Sequence, residues 1–371
     1  MTKTEDKAAK LLSEAGITIN GNAPTDIQVH DERLYDRIFR GGGSVAVGES
    51  YMDGWWDCED LAGCFFKLLR SDVEDSIKRI GILRHILPAL IFNKQNRSRA
   101  RRVGEDVYDI GNDLYEAMLG TSMAYTCGYW KNATNLDEAQ DAKFDLVCRK
   151  LGLKAGDHIL DIGCGWGNFL AYAAKNYGVS GVGITISKEQ IAFAREVVRG
   201  LDIEIRFEDY RDIVGQFDHV VSIGMFEHVG PKNYRTYFKK VRELVKDNGL
   251  VLLHTIGSRR TTYIADPWFN KYIFPNGVMP SLERLGKATN GLFVLEDWHN
   301  FGADYDKTLM VWYANFERAW PDLKDKYGKR FFRMWRYYLL SMAGGFRSRR
   351  TQLWQIVLSK KGVEGGYISI R

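Results

Sequence analysis

"HILDIGCGWGNFLAYAAKNYG", residues 158 to 178, decides the fold. An apolar run, Ile159, Leu160 and Ile162, stops at Gly163, Gly165 and Gly167, and helix-forming residues follow from Asn168. Strand, glycine turn and helix in that order form one unit of a parallel α/β sheet. Lacking a Cβ, the glycines let the backbone turn tightly and let a ligand approach it closely. A dinucleotide loop would carry a further glycine where Asn168 stands, so a pyrophosphate cradle is disfavoured.

The same texture continues outward. "VSGVGITIS" (179–187), "IEIRFED" (203–209), "FDHVVSIGMF" (217–226) and "LVLLHTIG" (250–257) read as strands. "KEQIAFAREVVRG" (188–200) and "PKNYRTYFKKVRELVKDNG" (231–249) read as the helices between them. The expected fold is α/β, with a mostly parallel sheet covered on both faces and ligands at the carboxyl ends of its strands. Asp161, Gly163, Gly165 and Gly167 resemble the first motif of the class I S-adenosylmethionine-dependent methyltransferases, whose Rossmann-like sheet has seven strands. That resemblance implies that Asp161 lies by the sulfonium and amino end of the cofactor, and Asp209 by its adenine. The second strand departs from the pattern, because no acid follows it until Glu189. Thr185 and Gln190 are the neutral hydrogen-bonding candidates there, and Ser187 is the natural helix cap.

The chain has 371 residues, 45% of them hydrophobic, which suits one large core or two unequal ones. No apolar run approaches the ~20 residues of a bilayer span. The N-terminal "MTKTEDKAAK" has no apolar signal core. Cysteines at 58, 64, 127, 148 and 164 form no CxxC pair, so reduced thiols in a cytosol are expected and a metal cluster is not. Net charge is +5, but basic residues cluster in "KQNRSRARR" (94–102), "GKRFFRMWRYY" (328–338) and "FRSRR" (346–350). Such clusters suit a nucleic acid or an anionic membrane, and equally a solvated face or linker. Before the first cluster, Ile77, Ile80, Leu83, Leu87 and Leu90 recur at helical spacing, and Pro88 should kink or end that helix. This is either an interfacial helix or one packed on its own core. Further upstream, "RGGGSVAVGESYMDGWW" (40–56) reads as a turn into a short strand. The expected organisation is a smaller N-terminal domain (1–93), a basic linker (94–103) and a catalytic domain (104–371).

Polar residues mark the strand ends. Glu227 and His228 follow the fourth strand, His254 closes the fifth, Cys127 lies upstream and Tyr305 downstream. Each alone has an ordinary reading as a satisfied core residue. Trp130, Tyr125, Phe226, Trp268, Phe274 and Trp298 flank them, with π faces suited to a cationic centre.

Together "YDIGNDLYEAML" (108–119), "AYTCGYW" (124–130), "GMFEHVGPKNY" (224–234), "LLHTIGS" (252–258), "KYIFPNG" (271–277) and "DWHNFGADYD" (297–306) resemble the bacterial cyclopropane-fatty-acyl-phospholipid synthases. The resemblance covers nearly the whole chain, and the N-terminal region sets it apart from the shorter mycolic-acid cyclopropane synthases. It implies transfer of a methylene group from S-adenosylmethionine to the cis double bond of an unsaturated phospholipid acyl chain. An isolated alkene is a poor nucleophile, and ring closure must remove a proton from the added methyl, so the site needs a base. The resemblance implies a bicarbonate ion as that base, held by Cys127, Glu227, His254, Tyr305 and the backbone at Ile256. It also implies that Tyr125 and Thr126 touch the cofactor, and it leaves His228 structural. Lys94, Arg97, Arg99, Arg101 and Arg102 then meet anionic headgroups, with Arg259 and Arg260 at the mouth of the site. A homodimer on the inner face of the cytoplasmic membrane is expected, with no nucleic acid partner. The N-terminal domain would serve lipid binding or dimerisation. Two other readings stay open: alkene methylation giving a methyl-branched or methylene chain, and a non-catalytic lipid- or cofactor-binding module.

Overall fold

The computed structural model describes residues 3–71 and 111–371. The helical reading of 75–93, the basic tract, and with it Lys94, Arg97, Arg99, Arg101 and Arg102, lie outside the described residues. The described chain forms two compact units that are not contiguous in sequence. One gathers the residues up to Ser71 with 263–275 and 305–351; the other gathers 111–262, 276–304 and 352–371.

The first unit begins with α1 (Lys3–Glu14), β1 (Gln28–Val29), α2 (Arg33–Arg37), α3 (Gly43–Met52), β2 (Trp56–Asp57) and α4 (Leu61–Arg70). β1 and β2 pair antiparallel. The stretch after the triple glycine is thus a helix, contrary to the strand expected. Small residues there serve a close approach and not a pleat: a Cβ on Gly48 would stand 2.3 Å from the indole of the buried Trp268. Gly41 and Gly43, at φ 102° and 50°, take up the break before α3. Asp60 caps α4 by accepting from the Gly63 N–H at 2.8 Å.

The basic set at 328–338 also has an internal use in this unit. The Arg333 guanidinium lies 4.2 Å from the Tyr51 ring centroid and donates to the Trp56 carbonyl at 2.8 Å. Arg336 donates to the carbonyls of Cys58 and Glu59. These two cations bind backbone of the N-terminal segment, which the sequence clusters alone do not reveal. Among the described residues no helix is long and apolar enough to cross a membrane.

The second unit carries α5 (Asn112–Leu119), α6 (Leu136–Leu151), β3 (His158–Ile162), α7 (Asn168–Tyr177), β4 (Ser180–Thr185), α8 (Lys188–Val197), β5 (Ile203–Phe207), β6 (His219–Ile223), α9 (Tyr234–Leu244) and β7 (Leu250–Ser258). After α10 (Pro267–Tyr272), which belongs to the first unit, come α11 (Leu282–Thr289) and β8 (Val294–Asn300), then the long α12 (Ala303–Arg347), which belongs to the first unit from Tyr305 on, and β9 (Thr351–Ser359). The sheet has seven strands in the order β5-β4-β3-β6-β7-β9-β8. β5, β4, β3, β6 and β7 run parallel, and β8 pairs antiparallel with β9.

Alternation along the strands divides the core. Leu160, Ile162, Val220, Val251 and Leu253 pack with α9 and α11 on one face. Ile159, Val221, Leu252 and Val357 pack with α6, α7 and α8 on the other. Successive side chains point to opposite faces, so Asp161 follows Ile159 and His254 follows Leu252 onto the α6 face. Burial on both faces accounts for strands that read as near-continuous apolar runs.

Candidate active site

The glycine loop opens at the end of β3. Gly163, Gly165 and Gly167 have φ of 85°, 56° and 83°, a region that side chains other than glycine rarely adopt. A Cβ on Gly163 would meet Met225 at 2.7 Å, while one on Gly165 would meet nothing of the protein within 4 Å. Gly165 therefore gives a ligand open access to the backbone. Asp161, just before the loop, is buried, and its Oδ1 has no hydrogen-bond partner among the described residues. Burial raises its pKa to about 7, against the opposing charge of Lys143. A buried carboxylate oxygen without a partner is costly unless a donor or cation completes it.

The segment 124–129 is held over this loop by α6. Gln140 donates to the carbonyls of Ala124 and Thr126 at 3.3 and 2.8 Å, and Lys143 donates to Thr126 Oγ1 at 2.9 Å. Gly224, after β6, makes room for Thr126, since a Cβ there would lie 2.5 Å from its methyl. Burial lowers the Lys143 pKa to about 7, although Cys127, Asp161 and Asp141 favour its charged form. Tyr125 packs edge-on against Tyr115, and Tyr115 against Trp166 of the loop, with centroids 5.2 and 5.3 Å apart. Cys127 is fully buried, and its thiol donates to the Gly128 carbonyl at 3.1 Å.

β6 ends at Ile223, and Glu227 sits four residues on, in a single 3₁₀ turn, Phe226–His228. Glu227 and His228 are therefore not opposed across an extended strand. Glu227 Oε1 accepts from the Ile256 N–H at 2.5 Å, and the Glu227 carbonyl accepts from Val278 N–H at 2.9 Å. Ile256, expected beside a bound anion, thus donates its N–H to Glu227. The other oxygen, Oε2, is buried without a partner among the described residues. Burial raises the Glu227 pKa to about 7 despite that N–H. His254 pairs in register with Ile223 and lies two residues before Ile256 on β7. Its Nε2 is buried and likewise lacks a partner. Burial, then the charges of Lys143, Lys150 and His299, hold its pKa well below the usual histidine range. His228 is buried too, and burial alone lowers its pKa to about 4.

Other expected residues divide. Asp209 follows β5, is buried, and accepts from Arg211 N–H at 3.0 Å. Ser187 caps α8 by accepting from Gln190 N–H, and the Thr185 hydroxyl donates to Gln190 Oε1 at 2.8 Å. Thr185 and Gln190 are thus joined to each other. Arg259 and Arg260 are exposed directly after β7. Tyr305 belongs to the first unit, in the opening turn of α12, where its ring packs 4.4 Å from that of Phe346. Phe226 stacks on Tyr234 at 4.4 Å within the core. Trp298 packs on Trp354, and Trp268 and Phe274 lie in the first unit.

A profile of the family described as mycolic acid cyclopropane synthetase matches residues 95–356, well over half the chain. The chain belongs to the mycolic acid cyclopropane synthetase family. As a member of it, the protein is an S-adenosylmethionine-dependent methyltransferase. It is 53% identical over 360 residues to the cyclopropane-fatty-acyl-phospholipid synthase of Escherichia coli K12, covering 97% of this chain and 94% of that one. It is 33% identical to the tuberculostearic acid methyltransferase UfaA1 of Mycobacterium tuberculosis, over 92% of this chain and 84% of the relative. Among solved structures, the mycolic acid cyclopropane synthase CmaA1 complexed with SAH and CTAB superposes with a TM-score of 0.65 at 28% identity. That match covers 70% of this chain and 98% of CmaA1.

Sequence reading missed three buried polar side chains behind this family site: Gln140, Lys143 and Gln355. A signal existed for each. Gln140 and Lys143 stand one turn apart among the apolar residues of α6, and Gln355 interrupts the apolar run "LWQIVL" of β9.

Proposed function

We propose that this chain adds a methylene group from S-adenosylmethionine across the cis double bond of an unsaturated phospholipid acyl chain, closing a cyclopropane ring. The observation that carries the reading is that Glu227 Oε2 and His254 Nε2, on segments tied together through Ile256, are both buried without a partner among the described residues. S-adenosylmethionine supplies an electrophilic methyl and bicarbonate supplies a base. The alkene's π electrons would form the new C–C bond as the S–CH₃ bond breaks and S-adenosylhomocysteine leaves, and the proton lost from the added methyl would leave its electron pair to close the ring. The net gain is CH₂, with one proton released.

The chain's own residues divide this work. Asp161 Oδ1 and the open backbone at Gly165 receive the charged end of the cofactor, with Gly163, Gly167, Tyr125 and Thr126 shaping the cradle. Asp209 takes the adenine side, with Thr185 and Gln190 beside the ribose. His254 donates to the anion, with the buried Cys127 as its neighbour in the set. An ionised Glu227 would repel an anion. A pKa raised to about 7 lets Glu227 share a proton with it, so the titration belongs to the pair. Ile256 keeps the carboxyl oriented. Arg259 and Arg260, together with Lys94, Arg97, Arg99, Arg101 and Arg102, bring the enzyme to an anionic bilayer. The working form is a homodimer on the cytoplasmic face, with residues 1–93 serving lipid binding or association.

The likeness to UfaA1, named as a methyltransferase, favours one second reading: methyl transfer to the alkene without ring closure. The function is tested with purified enzyme, S-adenosylmethionine and vesicles of an unsaturated anionic phospholipid. Acyl chains heavier by one CH₂ are expected, and unchanged chains would contradict the proposal.

A further inference from the structure

Gln355 lies on β9, between β7 and β8, with His299 as its register partner. Its side chain is fully buried, and its amide nitrogen stands 3.3 Å from Nδ1 of His254. With this nitrogen facing the ring the amide donates, Nδ1 presents its lone pair, and the proton of the neutral ring sits on Nε2. Phe301 packs edge-on against the imidazole, with centroids 5.8 Å apart, and limits its rotation. On the same side of the sheet, Lys150 stands 3.0 Å from His299 Nδ1 and 3.7 Å from Asp297. Burial, with Lys150 nearby, opposes a positive charge on His254. The ring stays neutral, and its tautomer becomes the variable that matters.

We propose that Gln355 is a positioning residue that fixes His254 as its Nε2–H tautomer, so that a hydrogen-bond donor and not a lone pair faces the reacting centre. The inference rests on the reading that His254 faces the bound anion. It deepens that reading by excluding His254 as the base that takes the ring-closing proton. A lone pair at Nε2 would repel an oxyanion, whereas an N–H there holds it. The amide of Gln355 chooses between these two outcomes without touching the substrate.

The test is long-range ¹H–¹⁵N correlation spectroscopy on enzyme carrying ¹⁵N-labelled histidine, with His254 assigned by the signals lost in His254→Asn. The proposal expects a pyridine-type Nδ1 and a pyrrole-type Nε2 at His254 in the unsubstituted enzyme. The reverse pattern overturns it, whatever any variant does. Gln355→Glu replaces the donor by an acceptor, which should move the proton to Nδ1. Its kcat should fall about 10²-fold, the loss typical of one oxyanion donor, with an unchanged KM for S-adenosylmethionine. Gln355→Met fills the space without donating and should show both tautomers and a smaller loss. A Gln355→Glu enzyme with the original tautomer and full rate would also overturn the proposal. If the tautomer is as stated but His254→Asn keeps full activity, the assignment of His254 to the anion fails while the role of Gln355 stands.

Discussion

Glu227 reaches from the turn after β6 to the backbone of β7, where its Oε1 accepts the Ile256 N–H at 2.5 Å. One oxygen is thereby anchored, and the other is buried without a partner among the described residues. Glu227→Gln keeps the shape and removes the titrating proton. Its kcat should fall by roughly 10²- to 10³-fold, the range for an electrostatic group at a reacting centre. Affinity for S-adenosylmethionine, measured by calorimetry, should barely change. Comparable losses in both quantities would remove Glu227 from the base site.

The same burial carries a stability signature. The folded-state pKa of Glu227 is raised to about 7 from 4.5, so the unfolded chain ionises first as pH rises. The wild-type protein therefore loses stability between those values, and Glu227→Gln does not. Relative to wild type, the variant should gain up to about 3 kcal/mol between pH 4.5 and 7.5. Denaturant melts at the two ends of that window measure it, and a pH-independent difference would contradict the raised pKa.

Asp161 predicts a pH dependence of cofactor binding. Its pKa is raised to about 7 by burial, and only its ionised form attracts a sulfonium or ammonium. Affinity for S-adenosylmethionine should therefore fall as pH drops below 7, approaching about tenfold per pH unit. In Asp161→Asn the affinity should be weaker and the dependence flat. A wild-type affinity that is constant from pH 5 to 8 would count against the assignment.

Lys143 tests the support behind the cofactor cradle. It holds Thr126 through a 2.9 Å hydrogen bond and is the charge that opposes protonation of Asp161. Lys143→Met, similar in length and apolar, should weaken S-adenosylmethionine binding by about tenfold, on the order of 1.4 kcal/mol. It should also shift the binding curve to higher pH, because Asp161 loses its stabilising cation. Loss of affinity without that shift would assign Lys143 to packing alone.

The strand–helix alternation and the glycine loop were legible because β3, β6 and β7 are largely apolar runs and Gly163, Gly165 and Gly167 follow the first of them. Glu227 and His254 were legible as polar interruptions at strand ends. The helix at 43–52 was not, because its small residues answer to Trp268, more than two hundred positions away. Gln355 and Lys143 escaped for a related reason. A buried amide or ammonium takes its meaning from the partner it meets, here His254 and Thr126, and that pairing exists only once the sheet and α6 are assembled.

The basic tract carries a prediction of its own. Neutralising Arg97, Arg99, Arg101 and Arg102 together should weaken binding to anionic vesicles by on the order of 1 kcal/mol per residue at low salt, and by less at high salt. Vesicle sedimentation at two ionic strengths measures it, and unchanged sedimentation would contradict the proposed membrane contact.

Ring closure itself is read most directly from the product. Mass alone does not separate a ring from a methylene branch, because both add CH₂. Proton NMR of the lipids extracted after reaction with S-adenosylmethionine and unsaturated phospholipid vesicles does. Upfield cyclopropyl protons should appear as the olefinic signals disappear. Terminal methylene or branched-methyl signals in their place would contradict ring closure.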